Sequence, residues 1–304
     1  FADLPGRAGA APSAETAEAA RILAVRHLLL AANLAPERTE WQGMADALAA
    51  SGDPIDDAAL ALQRQHFTLP AGLRQEEAEQ LVQSLISLSR KAREEGRYGD
   101  AYSLADRGQV IALRSLGPQA HWTWVADFYR AVSLGAAGYL ERAIPIAQKT
   151  WGAFRDDVER YGPDHIETLA NATSLAQILD MSGRSEEALP IITAALESLR
   201  ENKVERGPDH PSTLLATSIV SSCLIGIGRA DEALAYSRDA YERAAAALPA
   251  GCRDTLEFAM EYAQNLSMVG RAEEALGLAQ STWPELRDRL GSDHPMVLGA
   301  ALIV

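Results

Sequence analysis

GPDHIETL at Gly162–Leu169, GPDHPSTL at Gly207–Leu214 and GSDHPMVL at Gly291–Leu298 are near copies of one octapeptide, and their recurrence decides how the rest of the chain is read. Two degenerate copies, GPQAHWTW at Gly117–Trp124 and PAGCRDTL at Pro249–Leu256, complete a series whose starts lie 45, 45, 42 and 42 residues apart. A second motif begins 21 residues after each of the first four starts: GYLERA at Gly138, GRSEEA at Gly183, GRADEA at Gly228 and GRAEEA at Gly270. GRYGDA at Gly96 is an earlier fifth copy. Two motifs holding one phase over most of the chain identify an internal repeat of the length from which solenoids are built.

Between the motifs the apolar residues have helical period. Leu169, Ala172, Leu175, Ala176 and Leu179 form one stripe in the third unit, and Leu256, Ala259, Tyr262, Ala263 and Leu266 form its counterpart in the fifth. Gly183, Gly228 and Gly270 fall where the first helix must end, a place that calls for the left-handed conformation glycine adopts freely. An alanine stands five residues after each such glycine (Ala101, Ala143, Ala188, Ala233, Ala275), and a small residue recurs on the first helix (Ser89, Ala131, Ala176, Ser221, Ala263). These pairs let two helices approach closely. The expected fold class is therefore all-α, an α-solenoid of antiparallel helix pairs. Residues 71–304 hold about five pairs and a partial sixth.

The first 70 residues lack the repeat phase but keep helical patterning. Ser13–Asn33, Pro36–Ala50 and a segment from Asp53 or Pro54 to before Pro70 read as helices, and residues 13–70 are expected to cap the solenoid's apolar end. Pro5, Gly6, Gly9 and Pro12 make residues 1–12 a flexible lead. The chain begins at Phe1 and stops at Val304 inside a sixth unit, so the natural polypeptide is expected to be longer.

Composition narrows the function classes. With 47% apolar residues in 304, the chain can bury a sizeable core. Its net charge is −14, and no Lys/Arg-rich run of five or more occurs, which argues against nucleic acid as a partner. The longest apolar stretch, Ile22–Ala32, is interrupted by Arg26 and His27 and is too short to span a membrane. Two cysteines, Cys223 and Cys252, form neither a disulfide framework nor a zinc spacing, and a reducing cytoplasm is the default expectation.

On these motifs the chain resembles the tetratricopeptide repeat family, specifically the 42-residue kind of kinesin light chains and of many bacterial sensor and scaffold proteins. The resemblance covers roughly residues 72–304. It implies a bacterial source, a right-handed superhelix, and a concave groove lined by first helices that receives a partner's peptide or helix. The sequence departs from the kinesin-type Asn-Asn-Leu-Ala stretch, having Thr173-Ser174, Ser218-Ile219 and Met260-Glu261 instead.

Projected on that layout, the partner-binding positions are Arg90 and Arg93 in the first unit, then Val125, Phe128 and Val132 in the second. Thr173 and Gln177 follow in the third, Leu215, Ser218 and Ser222 in the fourth, and Glu257, Met260 and Gln264 in the fifth. The groove would run from basic through apolar to acidic. In the second unit Asp127 and Arg130 fall on the packing stripe while aromatic and aliphatic residues face outward. Either this helix packs against the N-terminal segment or it offers an apolar anchor pocket.

Candidate chemistry has a structural explanation throughout. Asp164-His165, Asp209-His210 and Asp293-His294 sit just before helix starts, where Asp or His caps backbone N–H groups, and copies one repeat apart would not converge on one metal ion. Paired acids such as Glu186-Glu187 and Glu273-Glu274 complement the helix dipole. No phosphate loop, nucleophile elbow, zincin or dinucleotide motif is present, so no catalytic residue, metal or cofactor is expected. The leading expectation is a non-catalytic scaffold that binds a protein or peptide, with no nucleic-acid or membrane partner and self-association left open. The alternatives are a sensor region of a larger signalling protein, with an NTPase, kinase or protease domain elsewhere, and an enzyme with a site in the N-terminal helices.

Overall fold

The computed structural model describes residues 73–202, 207–249 and 251–290. The expectations for the lead, the N-terminal cap, the sixth unit and the third Asp-His pair fall outside these residues. Among the described residues there are ten α-helices and no strand. They are α1 (Gln75–Glu94), α2 (Tyr98–Ser115), α3 (His121–Ala136), α4 (Leu140–Asp156), α5 (Ile166–Met181), α6 (Ser185–Glu201), α7 (Pro211–Gly226), α8 (Ala230–Ala247), α9 (Arg253–Met268) and α10 (Ala272–Leu290).

The glycine motif closes each pair in one way. Gly183 and Gly228 have φ of 78° and 77°, and the next residue donates back across the turn, Arg184 N to Leu179 O at 2.9 Å and Arg229 N to Leu224 O at 2.8 Å. This six-to-one bond satisfies a carbonyl that the helix end leaves orphaned. The arginine then opens the second helix by gripping the acid three residues on, as in Arg184–Glu187 at 2.7 Å and Arg229–Glu232 at 2.6 Å. The motif thus writes stop, turn and start in six residues. Its alanine lies against the neighbouring helix: Ala101, Ala143, Ala188 and Ala233 are fully buried. Ser89 donates to Ala101 O at 2.7 Å and Ser221 to Ala233 O at 3.1 Å, so helix backbone and small side chain meet directly.

The octapeptide works as a cap and a tie. His165 and His210 occupy the N-cap positions of α5 and α7, and their Nδ1 atoms accept from Glu167 N at 3.2 Å and Ser212 N at 3.1 Å. Asp164 accepts from Ser198 on α6 at 2.7 Å, and Asp209 pairs with Arg243 on α8 at 2.8 Å. In both pairs the aspartate fastens the loop to the second helix 34 residues on.

The chain divides into two compact units, Phe1–Thr150 and Trp151–Val304. In the first, α1 packs on α2 and α3, and α2 on α3. Its core holds Val82, Leu85, Ile111, Trp124 and Leu134, together with a buried ion cluster. Arg130 Nε lies 2.9 Å from Asp106 Oδ1 and its Nη1 lies 2.7 Å from Asp127 Oδ1. Burial pulls the Arg130 guanidinium down, but Asp106, Tyr102 and Asp127 outweigh it and hold its pKa above the ordinary value. The charged residues on α3's packing stripe are therefore there to meet Asp106 of α2.

In the second unit each helix from α5 to α10 packs on its successor, and α5 also packs on α7. Apolar clusters fill the joints. Leu214, Ala240, Ala244 and Phe258 form one, and Leu256, Met260, Ala263, Ala279 and Leu286 another.

Candidate functional site

Three first helices of the second unit, α5, α7 and α9, line a half-open cavity of about 300 Å³. Gln177, Leu215, Ser218, Ser222 and Gln264, five of the thirteen positions expected from sequence to meet a partner, line it. Met181, Leu215 and Met268 form an apolar rim, 55%, 40% and 59% exposed. Deeper positions combine the polar Asp180, Glu261 and Asn265 with the buried Ile219.

The central helix α7 holds this lining in place. Ser218 and Ser222 are four residues apart and share a face. Ser218 donates to Glu261 Oε2 on α9, and Ser222 donates to Asp180 Oδ2 on α5 at 2.5 Å. Asp180 Oδ1 accepts from Ser185 of α6 at 2.6 Å. Ser221, one position inward, accepts from Asn265 Nδ2 at 2.8 Å. One helix thus anchors a carboxylate on each side.

The electrostatics are one-sided. Burial pushes the Glu261 carboxyl up to about 7, against the Ser218 hydrogen bond and the neighbouring Ser221 hydroxyl, whose own hydrogen goes to Ala233 O, and with Asp180 adding to the rise. Its Oε1 is closed to solvent and has no hydrogen-bond partner among the described residues. Cys223, on the buried side of α7, is pushed up to about 12 by burial, with Asp180 contributing. No lysine, arginine or histidine among the described residues lines the cavity.

The other expected positions lie elsewhere. Thr173 is buried and donates to Leu169 O at 2.8 Å, so its hydroxyl is spent within α5. Met260, 1% exposed, belongs to the α9–α10 core, and Glu257 is paired with Arg253 at 2.6 Å. In the first unit Arg90 is exposed, Val125 is buried, and Arg93, Phe128 and Val132 are half-buried. Sequence projection missed Met181, Met268 and Asn265 as lining residues. Asn265 lies beside projected Gln264, and Met181 and Met268 lie one turn beyond projected Gln177 and Gln264, because the line used for the projection is narrower and shorter than the face a helix presents.

No protein-family model matches the sequence, and no curated protein matches it. Among solved structures, the nearly identical TPR-like repeats of a Podosopora anserina protein described as a putative kinesin light chain are similar over 68% of this chain and 96% of that one, at 18% identity and a TM-score of 0.54. A variant of the same protein gives a TM-score of 0.55 at 18% identity, over 68% of this chain and 95% of the variant. The chain has a TPR-like helical-repeat fold. A thermophilic TPR protein of Thermus thermophilus is similar at 20% identity over 73% of this chain and 98% of that one, with a TM-score of 0.48. In TPR-like terms the cavity lies on the shared face of the first helices of three successive pairs. Among the described residues no helix is long and apolar enough to cross a membrane.

Proposed function

We propose that this chain is a non-catalytic scaffold of the kinesin-light-chain-like repeat type, and that it seats a segment of a partner protein on the first-helix face of α5, α7 and α9. The observation that carries the reading is the cavity itself: exposed apolar side chains ring an interior that sets Asp180, Glu261 and Asn265 beside Ile219, on the face where the repeat leaves side chains free of packing duty. Gln177 and Gln264 flank it as adaptable hydrogen-bonding groups, with Ser218 and Ser222 below. Arg90, Arg93, Phe128 and Val132 form a second proposed contact surface on the first unit. Nothing in the reading requires a cofactor, and two unpaired cysteines suit a cytoplasmic setting. The same binding step would serve a free-standing scaffold or the sensing region of a longer signalling protein.

The test is a display selection of random peptides against the wild-type chain, followed by binding to two variants. Leu215→Asp, on the cavity rim, should abolish binding of most selected peptides. Leu113→Asp, at an equally exposed apolar position on α2, should leave it intact. Equal behaviour of the two variants would remove this face as the binding surface.

A further inference from the structure

The cavity between α5, α7 and α9 carries two carboxylates and no counter-ion. Asp180 and Glu261 are held by serine hydroxyls and the Cys223 thiol, all uncharged, and neither carboxylate has an ion-pair partner among the described residues. The cations of the adjoining helices are already engaged: Arg238 with Glu242, Arg243 with Asp239 and Asp209, Arg271 with Glu274. Glu261 Oε1, shut from solvent and without a donor, is an acceptor left unsatisfied, and such a group is costly unless something supplies the missing hydrogen bond. No described residue supplies it.

We propose that this cavity is a receptor for one lysine side chain of the partner segment, whose ammonium binds Glu261 Oε1 beside Asp180 while its methylene stem lies against Met181, Leu215 and Met268. The proposal rests on the docking reading above and assigns that site its ligand chemistry. Three observations choose the occupant. First, the lining is anionic, so a cation complements it and an acidic segment is repelled. Second, about 300 Å³ is at the small end of ligand cavities and suits one inserted side chain rather than a length of backbone. Third, lysine fits better than arginine. A side-on guanidinium fork takes both oxygens of one carboxylate, whereas both Asp180 oxygens and Glu261 Oε2 are each held by a serine hydroxyl, so the single acceptor without a donor suits a compact point charge. The terminal torsion of a glutamate is broad, so a small rotation turns Oε1 toward an incoming donor. The apolar rim accepts the lysine stem, which is itself a chain of methylenes.

A pH dependence accompanies the geometry. The titratable groups around Glu261 are Asp180 on α5 and the buried, protonated Cys223 on α7, with Glu257 one turn away on α9 already paired to Arg253. With its carboxyl raised to about 7, Glu261 is largely protonated in slightly acid solution, and an arriving ammonium must first see it ionise. Affinity for a lysine side chain therefore rises with pH up to about 7 and levels off above it.

The experiment uses the full chain and three pooled heptapeptide libraries, random except for a central residue fixed as lysine, norleucine or glutamate. At pH 8 the lysine pool should be retained about tenfold more than the norleucine pool, and the glutamate pool least. Glu261→Gln, which keeps shape and removes charge, should bring the lysine and norleucine pools within about twofold. Asp180→Asn should reduce the difference independently. Retention of the lysine pool should fall severalfold from pH 8 to pH 6 in the wild type and stay level in Glu261→Gln. If the lysine and norleucine pools are retained equally, and Leu215→Asp abolishes both, the face binds peptides but is no lysine receptor. If no pool is retained, or if Leu215→Asp changes nothing, the docking reading fails and the lysine receptor with it.

Discussion

Glu261 has a stability consequence whose sign follows from its position. Its carboxyl is raised from 4.5 to about 7 in the folded chain, chiefly by burial, so between these values the folded state holds a proton that the unfolded state has lost. Stability from this group is present below about pH 4.5 and declines as pH rises through 7, by on the order of 3 kcal/mol in all. Denaturant titrations at pH 5 and pH 8 should show Glu261→Gln gaining on the wild type at the higher pH, and a constant gap would mean the carboxyl is not buried as described. Arg130 sits in the opposite kind of site, because it is the cation that Asp106 and Asp127 share. Arg130→Leu should cost about 3 kcal/mol by removing the cation that two buried carboxylates share, and combining it with Asp106→Asn should cost less than the sum of the single changes. Exact additivity would show that the cluster is not coupled. Position alone marked these charges as odd in the sequence, since two of them fall on an apolar stripe. Their partner on α2 was not legible, because helical period predicts faces and says nothing of which residue lies opposite.

At the scale of the element, the turn glycine and the alanine after it make separable demands. Gly183 has open space where a Cβ would stand, so the cost of Gly183→Ala lies in its φ of 78° and should be about 1–2 kcal/mol. Ala188 is the reverse case, an ordinary helical residue with no exposed surface, and Ala188→Leu should overpack the pair by on the order of 1–3 kcal/mol. Thermal melts of the two variants check both values, and an unchanged midpoint in either would contradict the corresponding constraint. The histidine caps give a third test. Ala in place of His210 should lose about 1 kcal/mol of helix stability, while a chelator leaves the melt unaltered. Stoichiometric zinc lost together with stability would instead restore the metal reading. These elements were the most legible part of the chain. A left-handed turn admits few residues and a zero-clearance contact admits small ones, so both constraints write themselves into sequence at fixed spacing.

Across the molecule, the described contacts run between neighbouring helices, so stability should be divided locally rather than shared by one core. Hydrogen exchange should show Arg130→Leu accelerating α1, α2 and α3 while α9 and α10 keep wild-type protection. Uniform acceleration throughout would indicate a single cooperative unit. The same architecture explains why the cavity was only half legible. The repeat announces which helices come first in each pair, and so which face is free, but the cavity's character arises from Asp180, Ser218 and Glu261, contributed by three different repeats. Nothing in any one repeat encodes that meeting.

The two cysteines give the chain an unplanned analytical use. Cys223 has no exposed surface and a thiol held far from its reactive thiolate form, whereas Cys252 is half-exposed in the loop before α9, its sulfur 3.1 Å from Thr255 Oγ1. A maleimide dye added to the native chain at about pH 7 should therefore modify Cys252 alone, placing a fluorophore at the start of α9, the helix whose far half lines the cavity, without any substitution, and a second equivalent should react only once α7 opens.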